Sequence, residues 1–274
     1  MPDPVNGPGI SGVQPVTVRD GWSWFRAGFA RYRRNPVLMM FWVMTYWTLL
    51  GLAGLVPVLG DVLVAVLAPV LMVGVLAGCR ALDRETMPSF TILFSGFGSQ
   101  LQPLMGLGLL HFLLTVGALA LTAFWDGGAL LQYMARGTLG APDLPMPDPT
   151  QLPAAGLALA LLAYVPVLLA FAYAPLLVAW RGFGLGKALF FSLVASWRAW
   201  RGLIGFLAAL AVYGIFLPSL IMMLLIASGL DDTLVTSLVI VPIVAILAPT
   251  VVSGFYASYA QLLPPPSAEG LTPQ

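Results

Sequence analysis

The residues that could do chemistry are few and scattered. The chain has 274 residues with one His, His111, and one Cys, Cys79. A transition-metal site needs several His, Cys or carboxylate ligands converging, so no metal and no cofactor are expected. A lone thiol excludes a disulfide framework within the chain. Hydrolysis would call for a Ser–His pair, two close aspartates or a metal-binding His pair. Ser95-Gly96-Phe97-Gly98 resembles a nucleophile elbow only superficially, because the Gly before the Ser is missing. Gly182-Phe183-Gly184-Leu185-Gly186-Lys187 is Gly-rich and ends in Lys. It lacks the phosphate-loop spacing and a following Ser or Thr, and reads as a flexible connection. No catalytic residue is assigned, and the chain is read as non-enzymatic. Its net charge of +1 gives no sign of nucleic acid as a partner.

The elements that would have to position any site are apolar throughout. Hydrophobic residues make up 59% of the chain and charged residues 8%, against about 25% charged in a soluble domain. A spanning helix needs about 20 apolar residues to cross a hydrocarbon core of about 30 Å. Charge-free stretches predict six spans at about 37–59, 62–79, 104–125, 154–180, 202–230 and 233–263. They lack the apolar/polar alternation of barrel strands, so the fold class is an all-α membrane protein. Residues 19–263 form one transmembrane domain, with disordered cytoplasmic tails at 1–18 and 264–274. The first span follows a Pro/Gly-rich segment and a basic one, unlike a cleavable signal peptide.

Charge sets the expected orientation. Of 12 Lys and Arg residues, all but Arg136 fall on one side of these spans. Short cytoplasmic loops are enriched in Lys and Arg, so both termini are expected inside. Asp61, Asp126, Asp231 and Asp232 then sit at the outer boundary, and 126–153 forms a Pro-rich periplasmic loop. That loop could cap the bundle, meet a partner, or simply be exposed.

Aromatic lead-in segments precede three spans. In the first, residues 20–34, Trp22, Trp24, Phe25, Gly28, Phe29 and Tyr32 share half of a helical wheel. Arg26, Arg31, Arg33 and Arg34 lie on the other half. Such an amphipathic N-terminal helix lies in the headgroup plane. Trp22, Phe25, Phe29 and the four Arg residues are therefore candidate membrane-surface anchors. The helix could sense anionic lipid or only fix orientation, and Asn35-Pro36 should end it. Before the third span, Phe90, Phe94, Phe97 and Leu101 should tuck against protein; a third lead-in runs from Ala188 to Arg201.

Each inward span carries an Ala-Pro: Pro69, Pro175 and Pro249. The unit of lead-in, outward span and inward span with Ala-Pro suggests a threefold parallel repeat of helical hairpins. Two of the prolines are followed by small residues at matching offsets, Gly74 and Gly78 in one case, Gly254 and Ser258 in the other. Small residues four apart let helices approach closely. The prolines are candidate kinks, either packing features or the lining of a central cavity. His111, about two turns into the third span, is the one intramembrane ionisable candidate. It reads as a neutral ring bonded to a neighbouring carbonyl, with proton relay or ligand binding as the alternative.

Several motifs resemble an uncharacterised family of proteobacterial six-span integral inner-membrane proteins. In the first half these are Gly21-Trp22 with Phe25 and Pro36, Val56-Pro57-Val58-Leu59-Gly60, and Cys79-Arg80-Ala81-Leu82-Asp83-Arg84. In the second half they are Ala174-Pro175-Leu176-Leu177-Val178-Ala179-Trp180, Lys187-Ala188-Leu189 and Phe191-Ser192-Leu193. The resemblance covers about 21–261, without the 126–153 loop. It implies the bacterial inner membrane and about six spans; the family carries no assigned activity, so no functional residue is transferred. The sequence thus predicts a scaffold, assembly or lipid-associated component. Its partners would be the lipid bilayer, including anionic lipid at the N-terminal helix, and a protein partner or a second copy. A permease or secondary transporter of an apolar or lipid-like substrate is the alternative.

Overall fold

A computed structural model describes residues 16–57, 59–84, 89–98, 100–128 and 154–263. The expected tail over 1–15, most of the 126–153 loop and the tail over 264–274 lie outside the described residues. Among those described, every regular element is helical. Six helical stretches are long and apolar enough to cross a membrane: Pro36–Gly54, Gly60–Asp83, Leu101–Phe124, Leu161–Arg181, Trp200–Ala227 and Asp232–Leu262. The described chain falls into two compact units, one of Met1–Val43, Cys79–Met87 and Trp197–Gln274, the other of Met44–Gly78 and Pro88–Ser196.

Helix α1, Val18–Arg34, begins with an acidic N-terminal clasp. The Asp20 carboxylate accepts from the Thr17 N–H at 2.7 Å and from the Thr17 hydroxyl at 2.7 Å. These bonds hold its carboxyl below the usual aspartate range. Arg31, Arg33 and Arg34 close the other end, where cations suit the helix dipole. Within the tail expected over 1–18, Val16 is buried and Val18 already belongs to α1.

Helix α2 is Pro36–Gly54 and α3 is Gly60–Asp83. Helix α2 is shorter than the expected span because Gly54 and Pro57 interrupt it, and α3 runs past Cys79 to Asp83. A 3-10 helix, Phe90–Phe97, leads into α4, Leu101–Asp126. The fourth span is broken: α5, Ala154–Ala172, stops at Tyr173, and α6, Ala174–Arg181, restarts with Pro175 in its first turn. Gly182 at φ +62° terminates α6, a conformation that glycine adopts without steric cost. Helix α7 is Leu185–Arg198. The fifth span comprises α8, Trp200–Ala211, a π-helical segment Val212–Phe216, and α9, Leu217–Ala227. Pro218 follows the π segment. It donates no N–H to Gly214 and clashes with that carbonyl, which accounts for the local widening. The last span is one helix, α10, Asp232–Leu262, capped by the Asp231 carboxylate on the Thr233 and Leu234 N–H groups.

Candidate functional site

In the first unit, α1 packs on α8 and α10. Glycines set this docking. A Cβ on Gly21 would collide with the Gly202 carbonyl and the Phe206 amide; one on Gly28 would collide with the Thr250 carbonyl and the Gly254 backbone. Trp24 and Phe25 fill the remaining space and are 2% and 7% exposed. Phe25 stacks on Tyr213 of the π segment, with centroids 5.1 Å apart and planes 5° apart. The Trp24 indole N–H donates to Gln261 Oε1. Arg31 forms a two-point pair with Asp83, Nε to Oδ1 at 2.7 Å and the second contact at 2.8 Å. It also donates to the Ser253 carbonyl at 3.4 Å and lies over the Tyr256 ring.

Helix α10 is longer than a span requires. Its 31 residues run about 46 Å, whereas about 20 residues cross a core of about 30 Å. Counted from Asp232, the core ends near Val252. The α1 contacts at Thr250, Ser253, Gly254, Tyr256 and Gln261 begin at that boundary and follow the protruding turns. Helix α1 is thus clasped by protein on one side, along the C-terminal turns of α10. Two of the proposed surface anchors change role. Phe25 is buried against Phe206 and Tyr213, and Arg31 is engaged by Asp83. The amphipathic pattern does not distinguish a lipid face from a protein face, because both are apolar. Trp22 and Phe29 remain 37% and 40% exposed, and Arg26, Arg33 and Arg34 are exposed.

In the second unit, the 3-10 helix docks on α3 as α1 docks on α10. A Cβ on Gly96 would strike the Val70 carbonyl, and one on Gly74 would strike the Leu93 backbone. Leu93 and Gly96 are buried, whereas Phe90, Phe94 and Phe97 are 58%, 48% and 41% exposed. The expectation that these aromatics tuck against protein fails for a geometric reason. A 3-10 helix turns every three residues, which places Phe94 and Phe97 off the face of Leu93 and Gly96; Phe90 shares that face but stands at the first position of the helix and is exposed.

The break at Pro175 is repaired by α7. Pro175 has no N–H, and the turn before it opens at Tyr173. The Tyr173 N–H donates to Ser192 Oγ at 2.9 Å, and Ser192 Oγ donates to the Leu169 carbonyl at 3.1 Å. The serine hydroxyl thus stands between the donor and acceptor that a continuous helix would pair directly. Ser196 Oγ donates to the same carbonyl at 3.0 Å. Ser192 and Ser196 are fully buried. Their one sequence signal was a pair of hydroxyls four residues apart on an apolar helix.

The prolines therefore occupy unlike settings. Pro69 and Pro249 lie inside continuous helices, and Pro175 begins a new one. Gly78 and Ser258 are buried, with the Ser258 hydroxyl bonded to the Phe255 carbonyl. Gly254 faces α1, its Cβ position lying 3.0 Å from the Trp24 carbonyl. His111 Nε2 lies 3.1 Å from Tyr164 Oη, and its ring packs against Phe171 at 4.9 Å between centroids. The partner is a side-chain hydroxyl from α5 and not the carbonyl expected, because the Tyr164 ring reaches the imidazole across the two helices. Among the described residues no group of three metal-ligating side chains converges.

No protein-family model matches the chain, and no solved structure matches it. Over 257 residues, 89% of this chain and 91% of the other, it is 35% identical to a probable inner membrane protein of Burkholderia thailandensis. The chain belongs to the family of that protein, and its six apolar helices are those of a multi-pass inner-membrane protein.

Proposed function

We propose that this protein is a non-enzymatic structural or assembly component of the bacterial inner membrane, with both termini in the cytoplasm. The observation that carries the reading is how its polar side chains are used. Ser192 and Ser196 mend the backbone at Tyr173. Arg31 ties α1 to Asp83, and Trp24 is bonded to Gln261. Polar groups near or within a membrane are costly and are retained where they do work; here that work is holding helices together. One observation favours a second reading, a permease for an apolar or lipid-like substrate. His111 and Tyr164 pair within the spans, and an apolar groove of about 560 Å³ runs along α4 past Leu101, Met105, Gly106 and Leu109. Reconstitution into liposomes decides between them. A structural component leaves the movement of fluorescent lipid analogues and apolar solutes at the protein-free rate. Movement that disappears on His111→Ala would overturn the scaffold reading.

A further inference from the structure

Once α1 is docked, its outward surface divides into two sectors. At about 100° per residue, the buried Gly21, Trp24, Phe25 and Gly28 face α8 and α10. Val18, Trp22 and Phe29 project beside them, 52%, 37% and 40% exposed. The next line on the wheel holds Arg19, Arg26 and Arg33, each seven residues from the last and all exposed. Seven residues advance about 10 Å along a helix and return almost to the same face. The three guanidinium groups therefore form a straight row about 20 Å long, parallel to an apolar strip. Arg33 lies over the Phe29 ring at 6.0 Å. Among the described residues, none of the three pairs with a carboxylate; the ion pair of α1 belongs to Arg31. Helix α1 contacts α10 from Thr250 to Gln261, in the last turns of the final candidate span.

We propose that Arg19, Arg26 and Arg33 form a binding row for the phosphates of anionic phospholipids, with Val18, Trp22 and Phe29 seated in the acyl region beside them. Guanidinium pairs with phosphate oxygens in a two-point geometry that ammonium does not match. An aromatic strip below a cationic row fits the boundary between acyl chains and headgroups. Docking on α8 and α10 fixes the row in register, so a few lipids can be held at defined places. A loose basic tail would only be drawn to charge. The site is independent of whether the body is a scaffold or a permease. It predicts that Arg31 contributes nothing to lipid binding, although it lies on the same basic helix.

The test uses the whole protein in neutral detergent, titrated with phosphatidylglycerol and read by native mass spectrometry. A phosphate-binding Arg is worth about fivefold in affinity near an anionic surface, so replacing all three by Gln should weaken the tightest sites about a hundredfold. Arg34→Gln, Arg84→Gln and Arg198→Gln together remove the same charge from other exposed positions, and should change those sites less than fivefold. Arg26→Gln alone, at the centre of the row, should weaken them about fivefold and guards against misfolding of the triple variant. Phosphatidylcholine should not occupy the sites, and millimolar inorganic phosphate should not displace phosphatidylglycerol. Equal losses in the two triple variants would reduce the site to net charge and overturn the proposal. Unchanged affinity in Arg26→Gln, or displacement by inorganic phosphate, would also overturn it.

Discussion

Replacing Ser192 by Ala removes the hydroxyl that bridges the gap in the fourth span. The two backbone groups it serves do not suffer equally. The Leu169 carbonyl keeps a donor in Ser196 Oγ at 3.0 Å. The Tyr173 N–H has Ser192 Oγ as its acceptor, at 2.9 Å, and Tyr173 is fully buried. Removing one partner of a buried hydrogen bond costs about 1–3 kcal/mol. Hydrogen bonds between membrane helices average about 0.6 kcal/mol and reach about 1.7, which pulls the expectation to about 1–2 kcal/mol. Ser196→Ala leaves both backbone groups served by Ser192 and should cost about 0.5 kcal/mol or less. The double variant strands donor and acceptor together. Its cost should exceed the sum of the singles by about 0.5–1 kcal/mol, as expected for groups sharing one network. Equilibrium unfolding in mixed micelles, with sodium dodecyl sulfate as the denaturant and helicity as the signal, measures all three. The reasoning fails if Ser196→Ala costs as much as Ser192→Ala. It also fails if the two add, because the serines would then act as separate packing residues.

Gly28→Ala should destabilise the protein by about 1–3 kcal/mol through overpacking against the Thr250 carbonyl. Gly117→Ala, where nothing lies within 4 Å, should stabilise α4 by about 0.5–1 kcal/mol through helix propensity; thermal unfolding in detergent compares the pair. Asp20→Ala should cost about 0.5–2 kcal/mol by removing the clasp at the start of α1. Because Thr17 depresses the Asp20 carboxyl, its contribution is present above the ordinary aspartate value of about 3.9. It fades as pH falls through the lower folded value, so the variant should lose less stability than the parent on acidification, measured by the same titration from neutral to acid pH. For orientation, periplasm-active reporters fused after Asp61 or Asp232 should be active, and those fused after Asp83, Lys187 or Gln274 silent. Activity at Lys187 would contradict the expected ends of the fourth and fifth spans.

The spans were legible because a hydrocarbon core imposes length and apolarity without regard to neighbours. Asn35-Pro36, Asp61 and Asp231-Asp232 marked their ends for the same local reason. The docking of the lead-in helices was much less legible. In a soluble amphipathic helix the large apolar residues usually mark the buried face. Here the aromatic residues divide: Trp24 and Phe25 face protein, whereas Trp22, Phe29, Phe94, Phe97, Phe190 and Trp197 are exposed. What faces protein consistently is small, namely Gly21, Gly28, Gly96, Ala188, Ser192, Ala195 and Ser196. Lipid tails are as apolar as Phe, so burying Phe against protein gains little; a small residue gains close packing and, for Ser, a backbone partner. The same close packing holds at Gly74 and Gly254 in the spans and at Gly21, Gly28 and Gly96 in the lead-ins. Two of the lead-in segments meet their Ala-Pro helices alike, and the third does not. Gly28 lies against the Thr250 carbonyl just after Pro249, and Gly96 against the Val70 carbonyl just after Pro69. Ser192 reaches the open turn just before Pro175. Two lead-ins bring a glycine to the carbonyl one residue past a proline, and the third brings a serine to the break before one. Where the helix ladder stays closed, glycine suffices for contact; where it opens at Tyr173, only a residue that both accepts and donates can fill the gap, and that position holds Ser192.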